Sequence, residues 1–294
     1  MRHLLRVSDL DLPEIDGLLG RAEELAAGAA PRAARSGATV GLLFLSASLR
    51  TRVGYGVAAH RVGAQAIEVD EPRWTPAMSE GESFADTVRT LSGMVDLLVC
   101  RTPFPLVRAE IDAWSVAPVV NGGDGGGEHP TQALIDLAAI RRCGPVGSLR
   151  IAIAGDLSSR TVASLVRALE LDPPAELRLA GPSVDGEVVP GPALASRSVR
   201  CADLDVAGID VLYLAGLPAQ LGRAHLDHAD RRRWALTPER AAVLPPQAAV
   251  LSPLPIVDEI DADVRNDPRV LAFAQSDHGV HVRTAVLERM LGAG

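Results

Sequence analysis

The stretch Phe44-Leu45-Ser46-Ala47-Ser48-Leu49-Arg50-Thr51-Arg52 closes an apolar run and leads into a helical pattern. Residues 41–45 read as a short buried strand. Residues 53–62, mostly small and apolar with Tyr55 and His60 among them, read as a helix. A strand that ends in Ser, Arg and Thr just before a helix gathers hydroxyls, guanidiniums and free backbone N–H groups around one point. Such a point binds an anion, most naturally a phosphate, because a helix N-terminus carries unpaired donors and partial positive charge. A capping Ser followed by solvated arginines would use the same residues.

A second stretch weighs between those readings. Asn121-Gly122-Gly123-Asp124-Gly125-Gly126-Gly127-Glu128-His129-Pro130-Thr131-Gln132 runs from a glycine-rich loop into a helix expected over residues 133–142. Pro130 suits a first helical turn, and an ordinary flexible loop is the plainer account of the glycines. His129 and Gln132 lie three apart, a spacing at which both side chains can face one ligand.

Taken together, the two stretches resemble the aspartate/ornithine carbamoyltransferase family, whose phosphate loop reads Ser-x-Arg-Thr-Arg and whose second motif reads His-Pro-Thr-Gln or His-Pro-Cys-Gln. Gly81-Glu82-Ser83 with Asp86-Thr87, Arg101-Thr102-Pro103, Ala154-Gly155-Asp156, and Pro253-Leu254-Pro255 with Val257-Asp258-Glu259-Ile260 match in the family's order. They cover nearly the whole chain. The resemblance implies a carbamoyltransferase and a homotrimer with active sites shared between subunits; no cofactor or metal is expected, and composition and cysteine usage point to the cytoplasm. It implies that Ser48, Leu49, Arg50 and Thr51 hold the phosphate of carbamoyl phosphate. Arg101, His129 and Thr51 would direct donors at the carbonyl oxygen, while Gln132 and the backbone carbonyls of Leu254 and Pro255 accept from the amide. Arg50, Thr51, Arg101 and His129 are therefore the candidate catalytic residues, and a cis bond before Pro255 would suit that tight turn.

The acceptor side departs from the pattern. Relatives that use aspartate carry Thr where Leu49 stands and Lys where Glu80 stands. They also have Arg in the segment here read as Ala215-Gly216-Leu217-Pro218, His at Ser252 and Arg at Ile256. The Asp, the Ser-Met-Gly loop and the Cys of ornithine-using relatives are missing too. Arg160 matches an arginine that binds a substrate carboxylate; a helix-terminal arginine facing solvent is its plainer account. Glu80 beside a phosphate would be repelled by about 4 kcal/mol per charge pair at 4 Å. It is read instead as receiving an amine-bearing acceptor or pairing with Arg73 or Arg89, and Arg73 is read as the substitute for the lost lysine. Arg160, Glu80 and Gly216 are thus the candidate acceptor-binding residues. The expectation is an acceptor other than aspartate or ornithine, a related amino acid or amine. Aspartate carbamoyltransferase is the first alternative and a non-catalytic scaffold the second.

The rest of the chain agrees with such an enzyme. Its 294 residues suffice for two cores. A net charge of −8 argues against nucleic acid and anionic membrane as partners. No apolar run approaches the roughly 20 residues of a spanning helix, and the N-terminal residues do not form a signal peptide. Cys100, Cys143 and Cys201 form neither a disulfide framework nor a metal site. All 29 Lys-plus-Arg residues are arginine, so any lysine role must pass to an always-charged planar fork.

Helices are expected at 12–27, 84–91, 161–171 and 284–291, and strands at 64–70, 96–100, 118–121, 149–154, 176–180, 211–214 and 248–251. This alternation means two open, mostly parallel-sheet α/β domains with the active site in the cleft between them. Residues 1–143 would bind carbamoyl phosphate, with a closing helix near 279–292 packed back on them, and residues 144–278 would bind the acceptor.

Overall fold

The computed structural model describes residues 3–69, 81–183, 185–217, 220–221 and 224–292. The chain divides into two compact units, one of residues 1–131 with 278–294 and one of residues 132–277. Among the described residues no helix is long and apolar enough to cross a membrane.

The first unit contains α1 (Leu12–Ala26), β1 (Thr39–Phe44), α2 (Leu49–Arg61), β2 (Gln65–Val69), α3 (Phe84–Ser92), β3 (Leu97–Thr102), α4 (Arg108–Trp114) and β4 (Val119–Asp124). Its four strands pair in the order β2-β1-β3-β4, all parallel. Leu43, Leu98, Cys100 and Val119 alternate into a core that Val88 and Ile111 complete from the helices. α1 starts at a reciprocal cap, Asp11 accepting from Glu14 N while the Glu14 side chain accepts from Asp11 N.

α5 (Pro130–Arg141) begins in the first unit and runs into the second. There follow β5 (Arg150–Gly155), α6 (Arg160–Leu171), β6 (Glu176–Ala180), α7 (Pro192–Ala195), β7 (Ser198–Cys201), β8 (Val211–Ala215), the short antiparallel pair β9 (Gln220–Leu221) and β10 (Ala224–His225), α8 (His228–Arg232), α9 (Pro238–Val243) and β11 (Ala249–Leu251). The five-stranded sheet, ordered β11-β8-β5-β6-β7, is entirely parallel. Ala152, Leu212, Leu214, Leu236, Val250 and Ile260 fill its core. α10 (Ala272–Met290) returns the chain to the first unit.

Several local expectations change. α2 starts at Leu49, not Val53, so the Arg-Thr-Arg residues form its first turn. β4 runs through Asn121 to Asp124, so the glycine stretch begins inside a strand. α10 is far longer than the helix expected at 284–291, and α4 and β7 lie where no element was expected.

Parallel order marks where ligands would be expected. In each sheet the strand order reverses between two neighbours, β1 and β3 in the first unit and β5 and β8 in the second. Ligands bind outside the carboxyl ends of strands at such points.

Candidate functional site

Ser48 is the N-cap of α2, with extended φ and ψ of −162° and 107°, yet its side chain makes no capping bond. The hydroxyl therefore does not occupy the N–H groups of the first turn. Leu49 is 75% exposed, so its contribution there is its backbone N–H. Arg50 follows on the exposed side, and desolvation draws its guanidinium pKa below the ordinary arginine value. Thr51 turns inward and is buried.

Arg101 is the penultimate residue of β3, beside β1, where its carbonyl accepts from Leu45 N at 2.8 Å. Its Nη1 donates to Gly122 O of β4 at 2.9 Å, which fixes the fork at the sheet edge. A side chain at Gly122 would meet the Cys100 carbonyl at 3.3 Å and the Thr51 methyl at 3.5 Å. A glycine there lets Thr51, Arg101 and β4 lie this close.

His129 precedes the first residue of α5 and is buried. Its Nε2 lies 3.4 Å from Thr51 Oγ1 and its Nδ1 lies 3.5 Å from Thr131 Oγ1. Both ring nitrogens thus face threonine hydroxyls, and the motifs that are 78 residues apart in sequence meet at this imidazole. Thr51 meets His129, Arg101 is tied to Gly122, and Ser48 and Arg50 flank Thr51 at the start of α2; donors of these kinds suit an anion and an oxygen that gains charge.

The glycine-rich loop is held, not slack. Asn121 donates from Nδ2 to Leu5 O at 2.9 Å and to Glu128 O at 3.2 Å, and accepts from Gly123 N at 2.8 Å. Asp124 accepts from Leu106 N at 2.7 Å and from Glu128 N. Glu128 accepts from Val7 N at 2.8 Å. All three side chains are buried. The sequence reading passed over them because their partners lie up to 121 residues away.

The remaining described candidates belong to the second unit. Gln132 donates from Nε2 to Asp136 Oδ1 at 2.8 Å. Arg160 opens α6, whose cap Ser159 accepts from Val162 N. Asp156, in the turn after β5, accepts from Ser158 N at 2.9 Å and Ser158 Oγ at 2.6 Å. Leu254 has φ 58° and its bond to Pro255 is cis, as the turn was expected to be. A leucine in the left-handed region is an uncommon conformation that clusters at functional turns. Ser252 Oγ accepts from Leu254 N at 3.2 Å and braces that turn.

Gly216 follows β8, and a Cβ built on it would lie 3.3 Å from Glu259 Oε2. Glu259 is buried and accepts from Val257 N at 2.9 Å and Asp258 N at 3.2 Å. Glu80 and Arg73 lie outside the described residues.

The family model for the aspartate/ornithine carbamoyltransferase carbamoyl-P binding domain matches residues 2–142, and that for the Asp/Orn binding domain matches residues 148–290. The chain belongs to the aspartate/ornithine carbamoyltransferase family. It is 34% identical over 304 residues to the aspartate carbamoyltransferase catalytic subunit of Archaeoglobus fulgidus, covering 99% of both chains. Among solved structures, the catalytic subunit of M. jannaschii aspartate transcarbamoylase superposes with a TM-score of 0.84 at 30% identity, over 99% of this chain and 98% of that one. The Trypanosoma cruzi aspartate transcarbamoylase in complex with carbamoyl aspartate and phosphate gives 0.83 at 27% identity, over 97% and 94%.

Proposed function

We propose that this carbamoyltransferase moves the carbamoyl group of carbamoyl phosphate to the amino group of an amino acid, and that aspartate is the acceptor. The relatives weigh toward aspartate and against the non-aspartate acceptor that the sequence favours. The observation that carries the reading is the meeting of Thr51 and His129 beside Arg101 at the carboxyl ends of β1 and β3.

In this reading the phosphate sits on the N–H groups of α2, the Ser48 and Thr51 hydroxyls and Arg50. The acceptor amine attacks the carbonyl carbon and the carbonyl oxygen becomes an oxyanion, which Thr51, Arg101 and His129 stabilise. The C–O bond to phosphate then breaks, and the departing phosphate takes the amine proton. Positioned electrostatics supplies most of the acceleration, since preformed donors need no reorganisation as charge appears. Gln132 and the Leu254 and Pro255 carbonyls accept from the carbamoyl amide, Arg160 holds an acceptor carboxylate, and Glu80 and Gly216 border the acceptor.

A second reading, an acceptor with a single carboxylate or an added amine, is favoured by Glu259. Its carboxylate faces the position where Gly216 has no side chain, so a second acceptor carboxylate there would meet like charge. Phosphate release from carbamoyl phosphate, measured with aspartate and with a panel of amino acids and amines, decides between them. Turnover with aspartate alone supports the first reading. Turnover with another amine and not aspartate supports the second, and tight binding without turnover of any amine returns the scaffold alternative.

The homotrimer is also proposed. Leu49, Val53 and Val57, 75%, 54% and 40% exposed, recur every fourth residue of α2 and offer an apolar stripe to a second copy. A cytoplasmic location belongs to the same proposal.

A further inference from the structure

We propose that Asp136 is a positioning residue for carbamoyl transfer, a buried carboxylate that fixes which way the Gln132 carboxamide faces. The inference rests on the proposed role of Gln132 toward the carbamoyl amide.

Asp136 lies one turn after Gln132 on α5 and is fully buried. Its Oδ1 accepts from Gln132 Nε2 at 2.8 Å and from Gln275 Nε2 at 2.5 Å. Its Oδ2 accepts from Tyr213 OH at 2.9 Å. An ionised carboxylate accepts and never donates. Each glutamine must therefore turn its NH2 toward Asp136 and its carbonyl oxygen away. For Gln275 that oxygen accepts from Ser252 N at 3.0 Å, the residue whose hydroxyl braces Leu254. For Gln132, half-buried at the start of the helix, the oxygen is presented as an acceptor.

A carbamoyl amide offers two N–H donors, so an oxygen is the group that must face it. Without Asp136 the Gln132 amide has two orientations, and one of them turns an NH2 against the substrate NH2. The same carboxylate thus sets Gln132 and, through Gln275, the Ser252–Leu254 turn. Tyr213 stays a donor to it: burial first, and then the Asp136 charge, raise the tyrosine pKa well above its ordinary value. A charged group at full burial is costly, and three aligned donors offset that cost.

The test is calorimetric titration of the full chain with carbamoyl phosphate and, separately, with inorganic phosphate, which has no amide. Asp136→Asn keeps the shape but offers one acceptor and one donor. It is expected to weaken carbamoyl phosphate about tenfold, to leave phosphate within about twofold, and to add a clearly smaller loss in a Gln132→Ala background, where only the route through Gln275 remains. If circular dichroism shows D136N unfolded, Asp136→Ser serves with the same ratio expected. Equal losses for the two anions, or an undiminished loss in the Gln132→Ala background, would reduce Asp136 to a structural acid and overturn the assignment alone. A wild-type chain that binds phosphate but not carbamoyl phosphate would overturn the proposed function and this assignment with it.

Discussion

Gly155 closes β5 at φ 113°, with the carbonyl oxygen of Ala215 standing where its Cβ would be. Only glycine adopts that backbone freely and only hydrogen fits that space. Gly155→Ala is expected to destabilise the second unit by about 3 kcal/mol, read as a lower denaturation midpoint in urea at unchanged slope. A midpoint unaltered from wild type would mean that β5 and β8 can part without cost. Asp267 carries a pH dependence. Its pKa falls to about 2, chiefly through the hydrogen bond from Arg269. The unfolded value is about 3.9, so the pair's contribution is present above that pH and is lost as pH falls toward the folded value. Stability of the wild type should therefore drop more steeply between about pH 4 and 2 than that of Asp267→Asn. Parallel curves would refute the assignment.

Among the elements, α2 serves two surfaces. Its N-terminus is the proposed source of the anion donors, and its exposed Leu49, Val53 and Val57 are the proposed interface. Val53→Arg with Val57→Glu is expected to lower the sedimentation mass from trimer toward monomer while circular dichroism stays unchanged. Persistence of the trimer would place the interface elsewhere. The start of this helix was misread because Leu49-Arg50-Thr51-Arg52 lacks an apolar period; the extended cap at Ser48 sets it instead. α10 was misread for a related reason. Gln275, His278, Arg283, Thr284 and Glu288 are all buried on it, so its inward face is polar and gives no hydrophobic repeat. Glu288, for instance, takes Arg21 Nε at 2.7 Å and Arg32 N at 2.7 Å. β7, an edge strand with both central residues exposed, offers no period-two signal either.

For the whole molecule, the alternation of apolar runs and small-residue helices was enough to specify two parallel α/β sheets, because buried parallel strands such as β3 and β5 carry near-continuous apolar residues. The anion motif was legible because its chemistry is local: cap, first turn and arginine lie within a few residues. What holds the motif was not. Asn121, Glu128 and Asp136 act through partners more than a hundred residues away, and nothing in their spacing reports such pairings. The acceptor lies at the same limit, since no local spacing reports the pairing of Gly216 with Glu259, far along the chain.

The central claim is that His129, joined to Thr51 beside Arg101, stabilises the oxyanion of carbamoyl transfer. The kcat of His129→Ala with carbamoyl phosphate and the turned-over acceptor tests it most directly. The account predicts a fall of about a hundredfold or more, with inorganic phosphate still bound within a few-fold of wild type. A kcat within about threefold of wild type would contradict it.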